Sequence, residues 1–574
     1  MHGRGRVRRV RLSARAALAT AACALLTLAA AGPAAAGPQR AASDSQLTVR
    51  LLAIADLHGT LSPPDGDRSA ITEPNGAVVP AGGAAYLSAY VDQLRDSAAH
   101  SLLYSVGDNW GVSPLESAMF RDEPTVEFLN HLGISASGVG NHELDRGIDE
   151  FRRLQSGGCH PSDGCRFGAT FDGAQFPLLS SNMLMPNGIP ATMPFSVDYV
   201  DGIPVGVVSA LAADTGDALG PGVRDQVRFA DELATIDRTA GLLDFLGVHA
   251  IVLLLHQGDD YAAGDAPSCG ERAGPGHTIA TEASPLVDIV FTADNADRYD
   301  CTYADPDGHP RTVMNPAALG RGISVADVTL DRATRDIVRD QTTSFNQTVT
   351  HDISPDVEAA ALTDRAVSMT ADRSGQAVGV AASPITRTPS STGESALGNL
   401  VADAQLAAGH ALGAQVALTN PGGLRADLAP SSDGIVDYGA AHRVQPFDNP
   451  LDVVTLTGAQ LTRVLEQQFQ PRDDGQLLER ILAPSRSLTY SIDRSAPVGG
   501  RISHVEIDGV EIDPNAPYRV AINRFLARGG DGFTEFTYAT DHSNTETDLA
   551  AFVDYLAKAS PIRPPERDRI TLID

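Results

Sequence analysis

The stretch Gly138-Val139-Gly140-Asn141-His142-Glu143-Leu144-Asp145 decides the fold. It reads as the end of a buried strand, a sharp glycine-assisted turn and the start of a helix. Asn141 supplies a neutral oxygen ligand, with His142 beside it on the same turn. Asp145, three residues on, can orient that imidazole and hold it protonated next to a phosphate. An Asn-His turn alone is a common loop feature. Its weight comes from four other strand ends that finish in metal-ligand chemistry or a damaged version of it.

Upstream, the strand from Leu47 to Ala55 ends in Asp56-Leu57-His58-Gly59, where two ligands one residue apart can point the same way. A second strand, Ser101–Val106, ends in Gly107-Asp108-Asn109, and its single carboxylate suits a bridge between two cations. Downstream, the apolar run His249–Leu255 ends in His256-Gln257-Gly258. A fifth strand, Leu286–Phe291, runs into Thr292-Ala293-Asp294-Asn295-Ala296-Asp297, which contains no histidine. Helical patterns over Ala84–Leu94 and at Ile148, Phe151 and Leu154 alternate with these strands. Continuous apolar strands separated by helices indicate a sheet covered on both faces. The segment Asn315–Asp331 reads as a return hairpin closing this part.

With 574 residues the chain exceeds what one core usually serves, so two domains are expected. The net charge of −29 excludes nucleic acid as a partner and suits the capture of divalent cations. Lys558 is the only lysine, which removes Schiff-base chemistry and leaves anion binding to arginine. Residues 1–36 read as a signal peptide: six arginines, an apolar stretch Ala16–Ala31 and a small-residue cleavage site ending at Ala36. This predicts a secreted protein without a stable membrane anchor. Four cysteines remain after cleavage. Proximity pairs Cys159 with Cys165 and Cys269 with Cys301, and a four-thiolate zinc site is the competing reading.

With Asp56, His58, Asp108, Asn141 and His256 in this order, the chain resembles the calcineurin-like metallophosphoesterase domain of the 5′-nucleotidase family. The D-x-H, G-D-N, G-N-H-E-x-D and H-x-G blocks carry the resemblance. It implies an α/β protein: a four-layer α/β/β/α domain over 47–345, an inter-domain helix within 346–378, and a smaller α/β nucleotide-binding domain over 379–574. The second domain resembles its family counterpart at Gly393–Ala404, Asn420–Arg425, Pro446–Asn449 and Phe525–Gly532.

The resemblance also implies two divalent metal ions (Mn, Zn, Co, Mg or Ca) and a nucleotide or nucleoside phosphate substrate. Asp108 would bridge the metals, Asp56 and His58 would serve one, and Asn141 and His256 the other. His142, oriented by Asp145, would contact the phosphoryl group and the leaving alkoxide. Phe447 and Phe525 would sandwich the base, Asp531 the ribose hydroxyls, Asn420 and Asn449 the base edge, and Arg425 the phosphate.

Two departures stand out. The family ends its fifth strand with Gly-His-x-His or Gly-His-x-Gln, whereas this chain places Asp294 and Ala296 there, with Asp297 as a ligand only if the turn slips. Asp294 is a hard donor favouring manganese, magnesium or calcium over zinc, and Ala296 is no ligand. Gly393 stands where some members carry arginine, so fewer positive groups are expected around the phosphate. The expectation is a secreted metallophosphoesterase acting on nucleotides, with 5′-mononucleotides first. The alternative is a non-catalytic nucleotide-binding relative with a degraded metal site.

Overall fold

The computed structural model describes residues 45–573 apart from 65, 74, 220, 260–267, 296 and 472–476. The signal-peptide reading and Ala296 lie outside the described residues. Two six-stranded sheets form the first half. One runs Thr343–Thr348, Gly322–Asp331, Gln46–Ile54, Ser101–Ser105, Ala136–Gly138, Leu178–Leu179. The other runs Arg298–Ala304, Pro310–Pro316, Ile289–Thr292, Ala250–His256, Ile203–Leu211, Phe195–Val200.

Strand periodicity of two explains why the apolar runs are unbroken. Along the first strand, Val49, Leu51 and Ala53 enter the core between the sheets, while Leu52 and Ile54 face a helical layer. Along Ala250–His256, Val252 and Leu254 point to the inter-sheet core, and Ile251, Leu253 and Leu255 pack under helices Glu232–Phe245 and Pro275–Glu282. The layers are therefore α/β/β/α. Each fully buried leucine or isoleucine contributes roughly 1.5–3 kcal/mol.

Within each sheet the central strands run parallel. Leu52 pairs with Leu103, Tyr104 with Ala136, and Leu254 with Phe291. The carboxyl ends of five strands consequently meet at one edge, where ligands bind in open α/β sheets.

Three local expectations are corrected. The fifth strand is Ile289–Thr292, not Leu286–Phe291. Asp288 instead accepts from the Ile251 amide (2.8 Å) and pairs with Arg339 (2.6 Å), ending the approach before the ladder begins. Residues 315–331 are no hairpin: Pro310–Pro316 belongs to one sheet and Gly322–Asp331 to the other. The turn between them carries the chain across the core. After Asn141 comes a short 3-10 turn, His142–Leu144, and the helix proper begins at Ile148.

Helix Val357–Ser374 is capped by Asp356, whose carboxylate accepts from the Glu358 and Ala359 amides. The other Asp356 oxygen meets Ser88 Oγ (2.5 Å) and His131 Nε2 (2.6 Å). Ala359 and Ala366 lie in the same core as Leu87 and Phe128, so this helix is part of the first outer layer.

The second half holds a five-stranded sheet in the order Ala483–Pro484, Val416–Thr419, Pro517–Asn523, Pro450–Thr457, Thr540–Thr547, and a four-stranded one that includes Leu488–Ile492 and Ile570–Leu572. Buried Glu394 accepts from Asn399 Nδ2 (2.9 Å) and the Ile570 amide (3.0 Å), and Asp403 pairs with Arg569 (2.8 Å). The Gly393–Ala404 block thus ties the terminal strand to helix Ala396–Gly409. Both disulfides, Cys159–Cys165 and Cys269–Cys301, are formed.

Candidate active site

Each of the five parallel strands passes a candidate ligand to its exit loop, and the backbone there is unusual. Asp56, His58, Asp108 and Asp294 have φ of 48°, 48°, 50° and 71°. Left-handed backbone costs a non-glycine residue on the order of 1 kcal/mol, and Asp, Asn and His tolerate it best. Gly107 (φ 116°) and Gly140 let the loops interlock: a Cβ on Gly107 would meet the Gly140 amide at 2.7 Å and His256 Nδ1 at 2.9 Å.

The ring nitrogens are assigned by their partners. His58 Nδ1 donates to the Gly111 carbonyl (3.1 Å) and His256 Nδ1 to the Val106 carbonyl (3.2 Å). That leaves both Nε2 lone pairs for a cation, the usual arrangement for ligating imidazoles. His58 Nε2 lies 3.8 Å and His256 Nε2 3.3 Å from the same Asp108 oxygen, and His256 Nε2 is 3.7 Å from Asp294 Oδ1. Two overlapping donor groups result, Asp56-His58-Asp108 and Asp108-His256-Asp294.

A divalent cation fits these residues. Asp56 Oδ2, Asn141 Oδ1 and His256 Nε2 are buried without a hydrogen-bond partner. Each such orphan costs about 1–3 kcal/mol unless something satisfies it. Burial, together with neighbouring Asp108, drives the Asp56 carboxyl far above its ordinary range, and burial pushes Asp294 up to about 6. Burial also pushes His58 down to about 3. Three carboxylates crowded at one edge call for positive charge between them.

His142 sits over this edge. Its Nδ1 donates to Asp145 Oδ2 (2.8 Å), and its amide donates to Asp108 Oδ1 (2.8 Å). Burial disfavours its charge, yet Asp145 and Asp108 outweigh burial and raise its pKa above the ordinary imidazole value. Its ring centroid lies 5.1 Å from that of His58 and 6.0 Å from that of Phe447.

All six residues expected to bind substrate line one cavity of about 500 Å³: Asn420, Arg425, Phe447, Asn449, Phe525 and Asp531. Asn141, His142 and Asp145 border the same space. Asn420 Nδ2 donates to Asp531 Oδ2 (2.7 Å) and Asn420 Oδ1 accepts from Asn523 Nδ2 (3.0 Å), so a polar relay floors the cavity. A second cavity of about 290 Å³ contains Asp56, His58, Asp108 and Asp294 and shares His142 and Arg425 with the first. His256 lies beneath it, 1% exposed.

Several contributors have no signature in the sequence reading. Buried Glu143 accepts from the amides of Asp108 (2.9 Å), Asn109 (2.7 Å) and Gly140 (2.7 Å), stapling two ligand loops together. Burial, with Asp108 nearby, pushes its pKa up to about 7. Leu219 and Val223, from the first half, wall the larger cavity. Four arginines besides Arg425 border the smaller one, offsetting the shortage expected at Gly393. Gly393 itself has φ 90°, and a Cβ there would strike Ile481. Asp297 is committed elsewhere: it pairs with buried Arg272 (2.6 Å), so the turn has not slipped to make it a ligand.

A four-layer domain that collects carboxylates and imidazoles at its strand ends, joined to an α/β domain carrying an aromatic-lined cavity, defines a two-domain metallophosphoesterase. Residues 373–538 match the model of the family described as 5′-nucleotidase, C-terminal domain. Over 92% of this chain and all of the other, the fold superposes with a TM-score of 0.73 and 25% identity on a 5′-nucleotidase precursor from Thermus thermophilus. The chain is 29% identical over 494 residues to Endonuclease YhcR of Bacillus subtilis, covering 85% of this chain and 38% of that protein. To Cell wall protein Lmo0130 of Listeria monocytogenes it is 28% identical over 560 residues, covering 90% of this chain and 68% of the other. It thus spans well under half of the first relative. Residues 373–538 belong to the 5′-nucleotidase C-terminal domain family, and the chain shares the two-domain fold of the Thermus thermophilus protein. Among the described residues no helix is long and apolar enough to cross a membrane.

Proposed function

We propose that the chain is a secreted, metal-dependent phosphohydrolase that releases phosphate from nucleotides, with 5′-mononucleotides as the first substrate class. The observation that carries this reading is the junction of the two cavities at His142 and Arg425. A ligand seated in the larger cavity would present its phosphoryl end to the carboxylate–imidazole edge.

In this reading Phe447 and Phe525 stack on the base, which suits any purine or pyrimidine. Asp531 faces the ribose hydroxyls, Asn420 and Asn449 the base edge, and Arg425 the phosphoryl oxygens. Asp56, His58 and Asp108 would hold one divalent cation, and Asp108, Asn141, His256 and Asp294 a second. Bound there, two cations would supply the Lewis acidity that activates a water and offsets charge on the phosphoryl group. His142, held by Asp145, keeps a proton at Nε2 for the departing ribose oxygen. Glu143 keeps the Asp108 and Asn141 loops in register. Asp294 biases the site toward manganese, magnesium or calcium. In this reading residues 1–36 direct export and are cleaved off in the process, and Lmo0130 is a relative named for the cell wall.

A second reading, nucleotide binding without turnover, is favoured by Asp294 and Ala296 standing where the family places ligands. Phosphate release from AMP, measured with manganese, zinc, cobalt, magnesium or calcium in turn, separates the two. Release that disappears in His142→Ala supports hydrolysis. AMP binding without release under any metal overturns it.

A further inference from the structure

Beside the carboxylate edge lies a buried ion cluster that borders neither cavity. Arg272 is buried, and its Nη2 stands 2.6 Å from Asp297 Oδ2 and 3.5 Å from Asp259 Oδ2. One guanidinium nitrogen thus separates two carboxylates. Asp259 is buried and the Asp297 side chain is 9% exposed, so water screens neither well. Burial holds the Asp259 carboxyl above its ordinary range; the His277 amide and Arg272 oppose that, and Asp297 adds to it. The guanidinium carbon lies 3.8 Å from the centre of the Tyr299 ring, and the Tyr299 hydroxyl meets Thr292 Oγ1 (2.6 Å), which fixes the arginine from a third side.

The cluster joins two loops that each carry a candidate ligand. Asp259 follows His256 by three residues, and Asp297 follows Asp294 by three. Asn295 Nδ2 donates to the Asp259 carbonyl (3.1 Å), and Asn295 Oδ1 accepts from Asn315 Nδ2 (3.0 Å) and the Asp297 amide (3.3 Å). The loops touch so closely that a Cβ on Gly258 would meet Asn295 Nδ2 at 2.5 Å. On the same loops, His256 Nε2 is 3.7 Å from Asp294 Oδ1, and the Asp294 amide donates to Asp56 Oδ1 (3.1 Å). The segment of Arg272 is itself anchored. The Cys269–Cys301 disulfide ties it to strand Arg298–Ala304, and the Gly276 and His277 amides donate to the Gly258 carbonyl (3.3 Å) and to Asp259 Oδ1 (2.8 Å).

Two buried carboxylates with no cation between them repel, and breaking a buried ion pair leaves an uncompensated charge. Without the guanidinium, that repulsion would push apart the loops on which His256 and Asp294 ride.

We propose that Arg272 is a positioning residue for the candidate cation site of Asp108, His256 and Asp294. It clamps Asp259 to Asp297, keeps Asp297 away from the donor group, and so leaves Asp294 facing His256. Where the resemblance leads to an expectation of two ligands after the fifth strand, one carboxylate is held in place by a fixed charge next to its loop. The proposal rests on the cation reading given under Proposed function and not on turnover.

Calorimetric titration of the purified protein with manganese reads this site without catalysis. The wild-type chain should bind two equivalents. In Arg272→Met the affinity of one should fall about 10–100-fold, while the other stays within about threefold. Arg272→Lys, which keeps the charge, should recover most of the loss. The decisive variant combines Arg272→Met with Asp297→Asn: removing one of the two repelling charges should return the lost affinity to within about threefold of wild type. A merely architectural role for Arg272 gives the opposite result, because the double variant lacks both halves of the ion pair. If Arg272→Met does not fold, Arg272→Gln takes its place in both variants. Two unchanged manganese equivalents in the single variant, or a double variant that binds no better than the single one, would overturn the proposal. A wild-type chain that binds no manganese overturns the cation reading and the proposal with it. Manganese binding without phosphate release from AMP overturns only the hydrolase reading, and the calorimetry still decides the role of Arg272.

Discussion

The two cavities that meet at His142 are built on opposite principles. The carboxylate cleft is left unsatisfied: four of its residues have left-handed backbone, three buried polar atoms lack partners, and its carboxylates repel one another. The base cavity is satisfied from within. Asn523, Asn420 and Asp531 hydrogen-bond in sequence, Gln470 Nε2 donates to the Asp531 carbonyl (2.6 Å), and Gly530 leaves room for the Phe525 ring. A cleft whose unsatisfied donors could hold cations suits a reacting centre. A cavity already complete can only select and hold. Substitutions in the first should therefore strike turnover, and those in the second should strike affinity.

The sharpest way to break this contrast is Asp108→Asn. Asp108 belongs to both donor groups, so phosphate release should fall on the order of a thousandfold or more, about 4 kcal/mol of barrier. Bound metal measured by mass spectrometry should fall with it. Retention within tenfold would remove the cleft from the chemistry. His142→Ala comes next, with kcat reduced roughly 10²–10⁴-fold while metal content stays at the wild-type value. A parallel loss of metal would make His142 part of the cation site instead.

On the other side of the contrast, Phe447→Ala and Phe525→Ala should each cost about 1–3 kcal/mol of stacking. The loss should appear in KM for AMP, with kcat changed much less, and a loss confined to kcat would contradict the division of labour. A smaller effect is expected from Asp294→His with Ala296→His. The order of activating metals should move from manganese toward zinc, and an unchanged order and metal content would show that this loop does not set metal choice.

The smallest effect concerns the support of the base cavity. Asp548 is buried at a helix start, its amide donating to the Asn449 carbonyl (2.8 Å), and burial pushes its carboxyl up to about 8. Its folded-state pKa is raised, so between about pH 4 and 8 the native state holds the extra proton. Its contribution to stability therefore falls as pH rises. The Tm drop between pH 5 and pH 8.5 should be smaller in Asp548→Asn than in the wild type, and an equal drop would show that Asp548 is not its source.

The strand-end ligands were legible because their chemistry demands particular residue types directly after an apolar run, and the two faces of each run reported the four layers. What escaped depended on distance in the fold. Glu143 is an unremarkable acid until two loops present three amides to it. Arg387 and Arg443 come from segments with no phosphate signature and meet only across the cleft. Locally, a strand that crosses between sheets after Pro316 looks the same as one arm of a hairpin, and the late start of the fifth strand reflects an ion pair from Asp288 to Arg339, fifty-one residues away.

The left-handed backbone at residue 294 acts as a filter on what this loop can hold. At φ 71° branched side chains are penalised, while aspartate, asparagine and histidine fit at similar cost. Oxygen and nitrogen donors can therefore be exchanged there without rebuilding the turn. The loop is a socket of fixed shape, and on the proposed reading a change of the single side chain at 294 would reset the metal it prefers.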